Sequence, residues 1–158
     1  MQAERAFYLT KEGLIKLKAE YRHLRKIKSF KTKGEFPRAW QSEDLNPEYL
    51  SLQEDLNLLD LRLNELENIL KNSQLIKMPP KDKQNIVALG STVLVEVDGQ
   101  IDEFQIVGSL EANPSLGKIS DKSPVGKSLL GHMAGDHVNI SSPINIVYKI
   151  KKIKYKLS

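Results

Sequence analysis

A run of apolar residues at alternating spacings of four and three dominates the middle of the chain. The run consists of Leu45, Tyr49, Leu52, Leu56, Leu59, Leu63, Leu66 and Leu70. A repeat of about 3.5 residues predicts a helix with one apolar seam, as in a coiled coil. Such a helix is not stable alone in water, so a second helix must cover the seam. The partner is either a second copy of the chain or an earlier segment of the same chain.

The segment before this seam favours a partner within the same chain. The same spacing occurs at Leu14, Leu17, Tyr21 and Leu24. Thr10 is a suitable N-cap for this first helix, whereas Gly34 and Pro37 disfavour a continuous helix through 34–40. We therefore predict helices at about 10–36 and 46–71, with a bend or helix end near Phe36. The tip at about 37–46 is too short for a parallel pair, so we expect an antiparallel coiled coil; a parallel dimer is the alternative.

The second half of the chain changes from a helical period to a period of two. Residues 92–97 (TVLVEV) and 101–107 read as strands joined by an Asp98-Gly99 turn. Ser123-Pro124 starts a short helix ending at Gly131, and strands follow at 137–141 and 144–155. We predict an α+β protein in which a coiled coil (1–75) and a polar linker (76–85) precede a domain at 86–158. That domain is an antiparallel sheet with one short helix.

Composition excludes several classes of protein and of functional site. The chain of 158 residues has no cysteine and only three histidines, which are scattered, so the sequence predicts no disulfide, thiol nucleophile or histidine metal cluster. No apolar run approaches the ~20 residues of a membrane span, and residues 1–13 lack the apolar stretch of a secretory signal. We expect a cytoplasmic protein without a membrane partner.

Charge is segregated along the chain although the net charge is only +4. Residues 1–40 contain eleven basic and four acidic residues, whereas residues 41–70 contain eight acidic residues and the single base Arg62. The last ten residues contain five lysines. This distribution suits both ion pairing between two helices and attraction to a polyanion.

Several short segments occur in order along the chain. The segments are YLTKEG (8–13), NPEY (46–49), LGSTV (89–93), IVG (106–108), GKIS (117–120), SPVGKSLLG (123–131) and GD (135–136). In this order they resemble the Gre transcript cleavage factors of bacterial RNA polymerase. No single segment is specific, but the ordered set covers nearly the whole chain. The resemblance implies an N-terminal antiparallel coiled coil and a C-terminal domain with the FKBP-like fold.

The resemblance also implies a function and its partners. The C-terminal domain would dock on RNA polymerase while the coiled coil enters the secondary channel. Carboxylates at the tip would then help the polymerase to hold a second Mg²⁺ and a water that hydrolyses backtracked RNA, because hard oxygen ligands suit this ion. The factor itself would be no enzyme, would carry no cofactor of its own and is expected to be a monomer.

The tip departs from the family pattern, which generally reads G-D-x-x-E-N-A-E-Y. Here residues 42–49 read SEDLNPEY, so two residues, including one tip Glu, are missing. Asp44 aligns with the family's tip Asp, and Glu43 stands in the glycine position, where its carboxylate would substitute for the missing one. We assign Asp44 and Glu43 as the carboxylates lent to the polymerase Mg²⁺ site; the alternative is that both only favour the following helix N-terminus.

Basic residues crowd the half of the first helix that lies nearer the tip. The candidates for nucleic-acid contact are Arg22, Arg25, Lys26, Lys28, Lys33 and Arg38. The family has a basic patch on this helix that attracts displaced RNA, and phosphate contacts would give affinity without sequence specificity. The alternative is a solvated face that pairs with the acidic second helix.

Two other functions compete with transcript cleavage. With its altered tip, the protein would occupy the polymerase channel and inhibit or modulate the enzyme without activating cleavage. The FKBP-like fold also suggests a prolyl isomerase or chaperone-like module, although fold alone is a weak argument. The C-terminal region has only Phe104, Tyr148 and Tyr155 as aromatics, which disfavours the aromatic pocket of an isomerase.

Overall fold

The computed structural model describes residues 6–33, 47–141 and 144–156, and the chain divides into two compact units. The helical unit consists of residues 14–72, and the sheet unit combines residues 1–13 with residues 73–158. Within the described ranges, no helix combines the length and the apolar character needed to cross a membrane.

The helical unit is a pair of antiparallel helices. The helices are α1, Lys11–Lys33, and α2, Pro47–Lys71. Ion pairs show the direction, because Lys28 contacts Asp60 whereas Lys31, further along α1, contacts Asp55, earlier in α2. The helix α2 lies close to its predicted bounds. The expected bend near Phe36 and the predicted tip lie outside the described residues.

The apolar seam is the buried face of this hairpin. Every seam residue of α2 from Tyr49 onward is buried or half-buried, as are the four seam residues of α1. Leu63 and Leu66 are the most enclosed members of the seam, with 6% and 0% of their surface exposed. The off-seam Leu58 and Leu61 instead remain mostly exposed. Burial therefore follows the 3.5-residue repeat along most of α2, and the off-seam Ile69, which is 3% exposed near the end of the helix, is an exception.

Two short strands in the sheet unit were not anticipated from the sequence. The strand β1, Phe7–Leu9, pairs in parallel with β2, Ser73–Leu75. The carbonyl oxygen of Leu9 also accepts a 2.8 Å hydrogen bond from the Ile76 backbone, and the Leu9 side chain is fully buried. Strands of three residues carry no recognisable period, and each partner lies far along the chain, so local patterning does not reveal the pair.

The main sheet has five strands in the order β5-β4-β3-β7-β6. Their bounds are β3 Thr92–Val97, β4 Gln100–Val107, β5 Lys118–Ser120, β6 His137–Ile140 and β7 Ile146–Lys154. The predicted hairpin between β3 and β4 is confirmed. Asp98 and Gly99 have φ angles of 50° and 80°, as the two central residues of a tight type I′ turn require.

The α+β class is confirmed, with one correction to the sheet. The strands β4 and β5 are parallel, whereas the other pairings are antiparallel, so the sheet is mixed and not purely antiparallel. The segment between β4 and β5 contains two 3-10 turns, Ser109–Glu111 and Pro114–Leu116. It returns the chain along β4, so that β5 can run parallel to that strand. A crossover built of short turns has no periodic pattern that sequence reading detects.

The core of the sheet unit lies between the sheet and a short helix, α3, Pro124–Leu129. The core residues are Val87, Val93, Val95, Ile106, Leu129, Val138, Ile140 and Ile150. A register shift at Leu94/Val95 pairs Val95 with Ile150 and Val93 with Ile153. This bulge explains how two β7 residues three positions apart both pack on the core.

The predicted start of α3 is confirmed in detail. The Ser123 hydroxyl accepts a 3.1 Å hydrogen bond from the Gly126 backbone N–H, and Pro124 occupies the first turn. Ser123 thus satisfies a donor that the helix leaves unpaired at its N-terminus. The cap fixes where α3 begins and holds the loop before it.

Helix α1 is held at its start by a carboxylate from the loop after β4. The Glu111 carboxylate accepts hydrogen bonds from the Thr10 backbone N–H (2.7 Å) and the Thr10 hydroxyl (2.5 Å). The same hydroxyl accepts a 3.0 Å hydrogen bond from the Gly13 N–H, so Thr10 is the N-cap. A side chain at position 13 would overlap the Glu111 carboxylate, and residue 13 must therefore be glycine while Glu111 stays in place.

We expect Gly13→Ala to lower the free energy of unfolding by about 1–2 kcal/mol, because the methyl group displaces a charged hydrogen-bond acceptor. In a Glu111→Ala background the same change should instead raise stability by up to about 1 kcal/mol, because alanine has the higher helix propensity. Urea denaturation of the four proteins measures this cycle. If Gly13→Ala changed the free energy of unfolding equally in both backgrounds, the contact between position 13 and Glu111 would be contradicted.

The turn before β6 depends on the Asp136 carboxylate. Asp136 Oδ2 accepts a 2.9 Å hydrogen bond from the Met133 N–H and lies 3.2 Å from His132 Nδ1. The Met133 hydrogen bond, followed by that of His132, lowers the pKa of Asp136 below its ordinary value. Since the folded-state pKa is the lower one, this carboxylate stabilises the fold above the unfolded pKa of about 3.9.

That stabilisation must disappear as the pH falls through the folded-state pKa of Asp136. We therefore expect the difference in unfolding free energy between the wild type and Asp136→Asn to be largest near about pH 5 and to shrink toward about pH 3. Urea denaturation across this range measures it. Asp82→Asn, at an exposed carboxylate, is the control. A difference that does not change with pH would contradict the role of Asp136.

Candidate nucleic-acid interface

Ion pairs along the hairpin use a defined subset of its charges. Lys28 Nζ lies 2.5 Å from Asp60, and Lys31 Nζ lies 3.1 Å from Asp55. Arg62, the single base in the acidic segment, donates to Glu20 at 2.7 Å and to Glu65 at 2.8 Å. These carboxylates raise the pKa of Arg62, with Glu20 as the largest cause. The charge segregation seen in the sequence is therefore partly explained by contacts between the helices.

Two of the basic residues predicted to contact nucleic acid have partners within the protein. Lys28 is paired with Asp60. The Arg25 guanidinium lies 5.8 Å from the centre of the Tyr21 ring, within the range of a cation–π contact. The Tyr21 hydroxyl in turn donates a 2.6 Å hydrogen bond to Glu67, which raises the pKa of Tyr21. Lys28 and Arg25 thus contribute to the hairpin itself.

The other predicted bases on α1 face solvent. Arg22, Lys26 and Lys33 are exposed, and none forms an ion pair within the ranges that the structure describes. Lys18 is exposed as well, and spacings of four, four and seven residues place all four on one face of the helix. We call Lys18, Arg22, Lys26 and Lys33 the basic stripe.

An aromatic residue that was not singled out from the sequence lies beside the basic stripe. Phe30 has 84% of its surface exposed, and it follows Lys26 by four residues and precedes Lys33 by three. At these spacings, helix side chains are neighbours. The sequence did contain a signal for Phe30. The seam passes through or beside Ile27 and Lys28, so Phe30 is a large apolar residue that lies off the seam. An exposed ring between two cations is the arrangement with which proteins stack single-stranded bases.

Asp44 and Glu43, assigned as catalytic and metal-binding residues, lie outside the described residues, as does Arg38. The helix α2 begins at Pro47, directly after Asn46, and Glu48 stands in its first turn. Across the ranges described, no group of three or more His, Asp and Glu side chains is arranged to hold a metal ion. Both tip assignments therefore stay predictions.

The sheet unit contains a second feature that was missed from the sequence. Asp121 Oδ1 is buried and, among the described residues, is the one such side-chain atom without a hydrogen-bond partner. Its backbone N–H donates to Val107 at 2.9 Å, and the following Ser123 hydroxyl donates to Ser120 at 2.7 Å. The loop therefore contains a buried acceptor without a partner among the described residues, which is costly unless a water supplies a donor.

Comparison with known proteins matches both halves of the chain to one family. The family model described as "Transcription elongation factor, N-terminal" matches residues 7–75. The model described as "Transcription elongation factor, GreA/GreB, C-term" matches residues 81–155.

Individual relatives agree with these matches. Transcription elongation factor GreA of Thermomicrobium roseum is 39% identical over 137 residues, which cover 85% of this chain and 88% of the relative. The factor of the same description from Listeria welshimeri is 37% identical over 158 residues, covering 97% and 98% of the two chains. A crystal structure of the GreA factor homolog 1 protein of Thermus thermophilus is 28% identical, covers 95% of this chain and 99% of its own, and has a TM-score of 0.42. The two family models, together with the identities to the two GreA factors, show that the chain belongs to the GreA/GreB family of transcription elongation factors.

Proposed function

We propose that the protein binds RNA polymerase, inserts its hairpin into the secondary channel and stimulates hydrolytic cleavage of backtracked RNA. The observation that carries this proposal is the basic stripe with the exposed Phe30 on the outer face of the hairpin. The inner face of the hairpin is formed by the buried apolar seam. The stripe and Phe30 are suited to a single-stranded nucleic acid. Family membership supports the polymerase as the partner.

The hairpin is suited to insertion into a channel because the contacts that stabilise it are made between its own two helices. The seam buries the apolar residues of both helices, and the ion pairs of Lys28, Lys31 and Arg62 lie along its edges. Exposed pairs contribute only about 0–1 kcal/mol each, so the seam supplies most of the stability. The outer face is consequently free to contact a partner without loss of the fold.

The chemistry in this proposal belongs to the polymerase, and the factor lends carboxylates. Asp44 and Glu43 would supply oxygen ligands, the type that Mg²⁺ prefers, while other ligands come from the polymerase and the RNA. The bound ion would lower the pKa of a water and so provide the nucleophile for hydrolysis. The protein needs no resident cofactor for this role.

A second function has its own supporting observation. The sequence between Asp44 and Tyr49 is two residues shorter than the family pattern, and α2 begins immediately at Pro47. A factor that lacks one tip carboxylate would occupy the channel and inhibit or modulate the polymerase without activating cleavage. The two functions differ in one measurable outcome, the length of the RNA.

We expect the intact protein to shorten the RNA of backtracked elongation complexes, and Asp44→Ala to slow this cleavage by at least about tenfold through loss of a metal ligand. Denaturing gels of labelled transcripts measure the rate. Asp82→Ala, the same chemical change in the sheet unit, should cleave as the wild type does. Binding without shortening by the wild type would instead establish the channel-occupant function, and unchanged cleavage by Asp44→Ala would remove Asp44 from the mechanism.

The contact with RNA is tested by truncating Phe30 and one base of the stripe. Phe30→Ala should weaken binding to complexes with extruded RNA by about 1–3 kcal/mol, the contribution of stacking on one base. Lys26→Ala should reduce the slope of log affinity against log salt by about 0.7, the value for one single-strand phosphate contact. Fluorescence anisotropy of labelled protein at several salt concentrations measures both quantities.

Matched controls separate RNA contact from a general effect on the hairpin. Leu58→Ala removes an apolar residue that is 66% exposed on α2, and Lys71→Ala removes an exposed lysine at the end of α2. Neither should change the affinity. Complexes without extruded RNA should bind all variants as tightly as the wild type; a loss of affinity by Phe30→Ala there too would assign Phe30 to a protein contact.

A further inference from the structure

A group of lysines in the sheet unit surrounds a cavity. The cavity has a volume of about 310 Å³. Four lysines from four separate segments line it, namely Lys11 at the start of α1, Lys77 after β2, Lys118 in β5 and Lys156 after β7. The fold brings together residues that are far apart in sequence.

None of these four lysines is neutralised within the ranges that the structure describes. The ion pairs there involve Lys28, Lys31, Arg62, His132 and Lys151. The single carboxylate among the lining residues is Glu12, which leaves three positive charges in excess around the cavity. Collecting like charges at one place costs free energy, and a bound polyanion would recover it.

Another part of the cavity wall is apolar, which we call the apolar wall, while Thr10 and Gln105 add polar groups to the lining. Ile76, Met78 and Leu89 line it together with the ring of Tyr155. The Tyr155 hydroxyl donates a 2.6 Å hydrogen bond to the Ile86 carbonyl oxygen, which fixes the position of the ring. A cavity of this kind combines charged groups at one side with a surface for a planar, weakly polar group at the other.

We propose that this cavity binds a small phosphorylated nucleoside, with its phosphates on the four lysines and its base against the apolar wall. Inorganic phosphate alone would leave the apolar wall empty, and an uncharged planar molecule would leave the lysines uncompensated. The volume is at the lower end of the range of about 300–1,000 Å³ for small-molecule sites, which suits a single nucleotide. The proposal is independent of polymerase binding and of the hairpin tip.

The test titrates the intact protein into a fluorescent nucleoside triphosphate at low salt and follows anisotropy. We expect saturable binding that Lys77→Glu with Lys156→Glu weakens by at least about tenfold, because two charge-assisted contacts are reversed. Both lysines are exposed, so the fold should persist, and circular dichroism checks that it does. Lys127→Glu, the same charge change at an exposed site on α3 outside the cavity, should leave the affinity unchanged.

Competition experiments distinguish binding of a whole nucleotide from binding of its phosphates alone. Unlabelled nucleoside triphosphate should displace the probe at least about tenfold more effectively than inorganic triphosphate, because burial of the base adds apolar contact. Equal displacement by both would overturn the assignment to a nucleotide. Absence of saturation by the probe, or an equal loss of affinity in Lys127→Glu, would overturn the site.

Discussion

The leucine seam of α2 must be covered, and the structure of the helical unit follows from that requirement. Leu63 and Leu66 are buried, and the other described seam residues are at least half-buried against α1. Burying one such side chain fully contributes about 1.5–3 kcal/mol, whereas an exposed ion pair contributes about 0–1 kcal/mol. The seam therefore stabilises the hairpin. The pairs of Lys28 with Asp60 and Lys31 with Asp55 are compatible with the antiparallel register.

The seam provides most of the stability of the hairpin. The basic residues of α1 fall into two groups, those with partners within the hairpin and those without. Lys28 and Lys31 pair with α2, and Arg25 lies over Tyr21. Lys18, Arg22, Lys26 and Lys33 are not needed for these contacts, and Phe30 adds an apolar ring to the same outer region of the helix. A helix that exposes four cations and a phenyl ring gains nothing in folding from that arrangement, which is why we connect it with function.

Elements with a strong local signal were predicted closely. The Asp98-Gly99 turn requires positive φ angles, Ser123-Pro124 combines a cap with a first-turn proline, and the seam has a regular period. The parallel pair of β1 with β2 and the parallel placement of β5 were missed, because each joins short segments without periodicity across a long stretch of chain. In the candidate site, Arg22, Lys26 and Lys33 were predicted to contact nucleic acid, whereas Lys18 was not. Which of the predicted bases have partners within the protein depends on contacts made in the folded hairpin, and these required the structure.

The amino-acid sequence by itself determined the helical hairpin, the α+β class and the family, because periodicity, caps and ordered motifs are local properties. The assignment of Asp44 and Glu43 as tip carboxylates depends only on motif alignment and stays a prediction. Among the described residues, the tertiary structure alone decided that Lys28 forms an ion pair while Lys26 does not and that Asp121 Oδ1 has no hydrogen-bond partner. It also decided that Lys11, Lys77, Lys118 and Lys156 share one cavity. These are statements about proximity between distant segments, and proximity is created only when the chain folds.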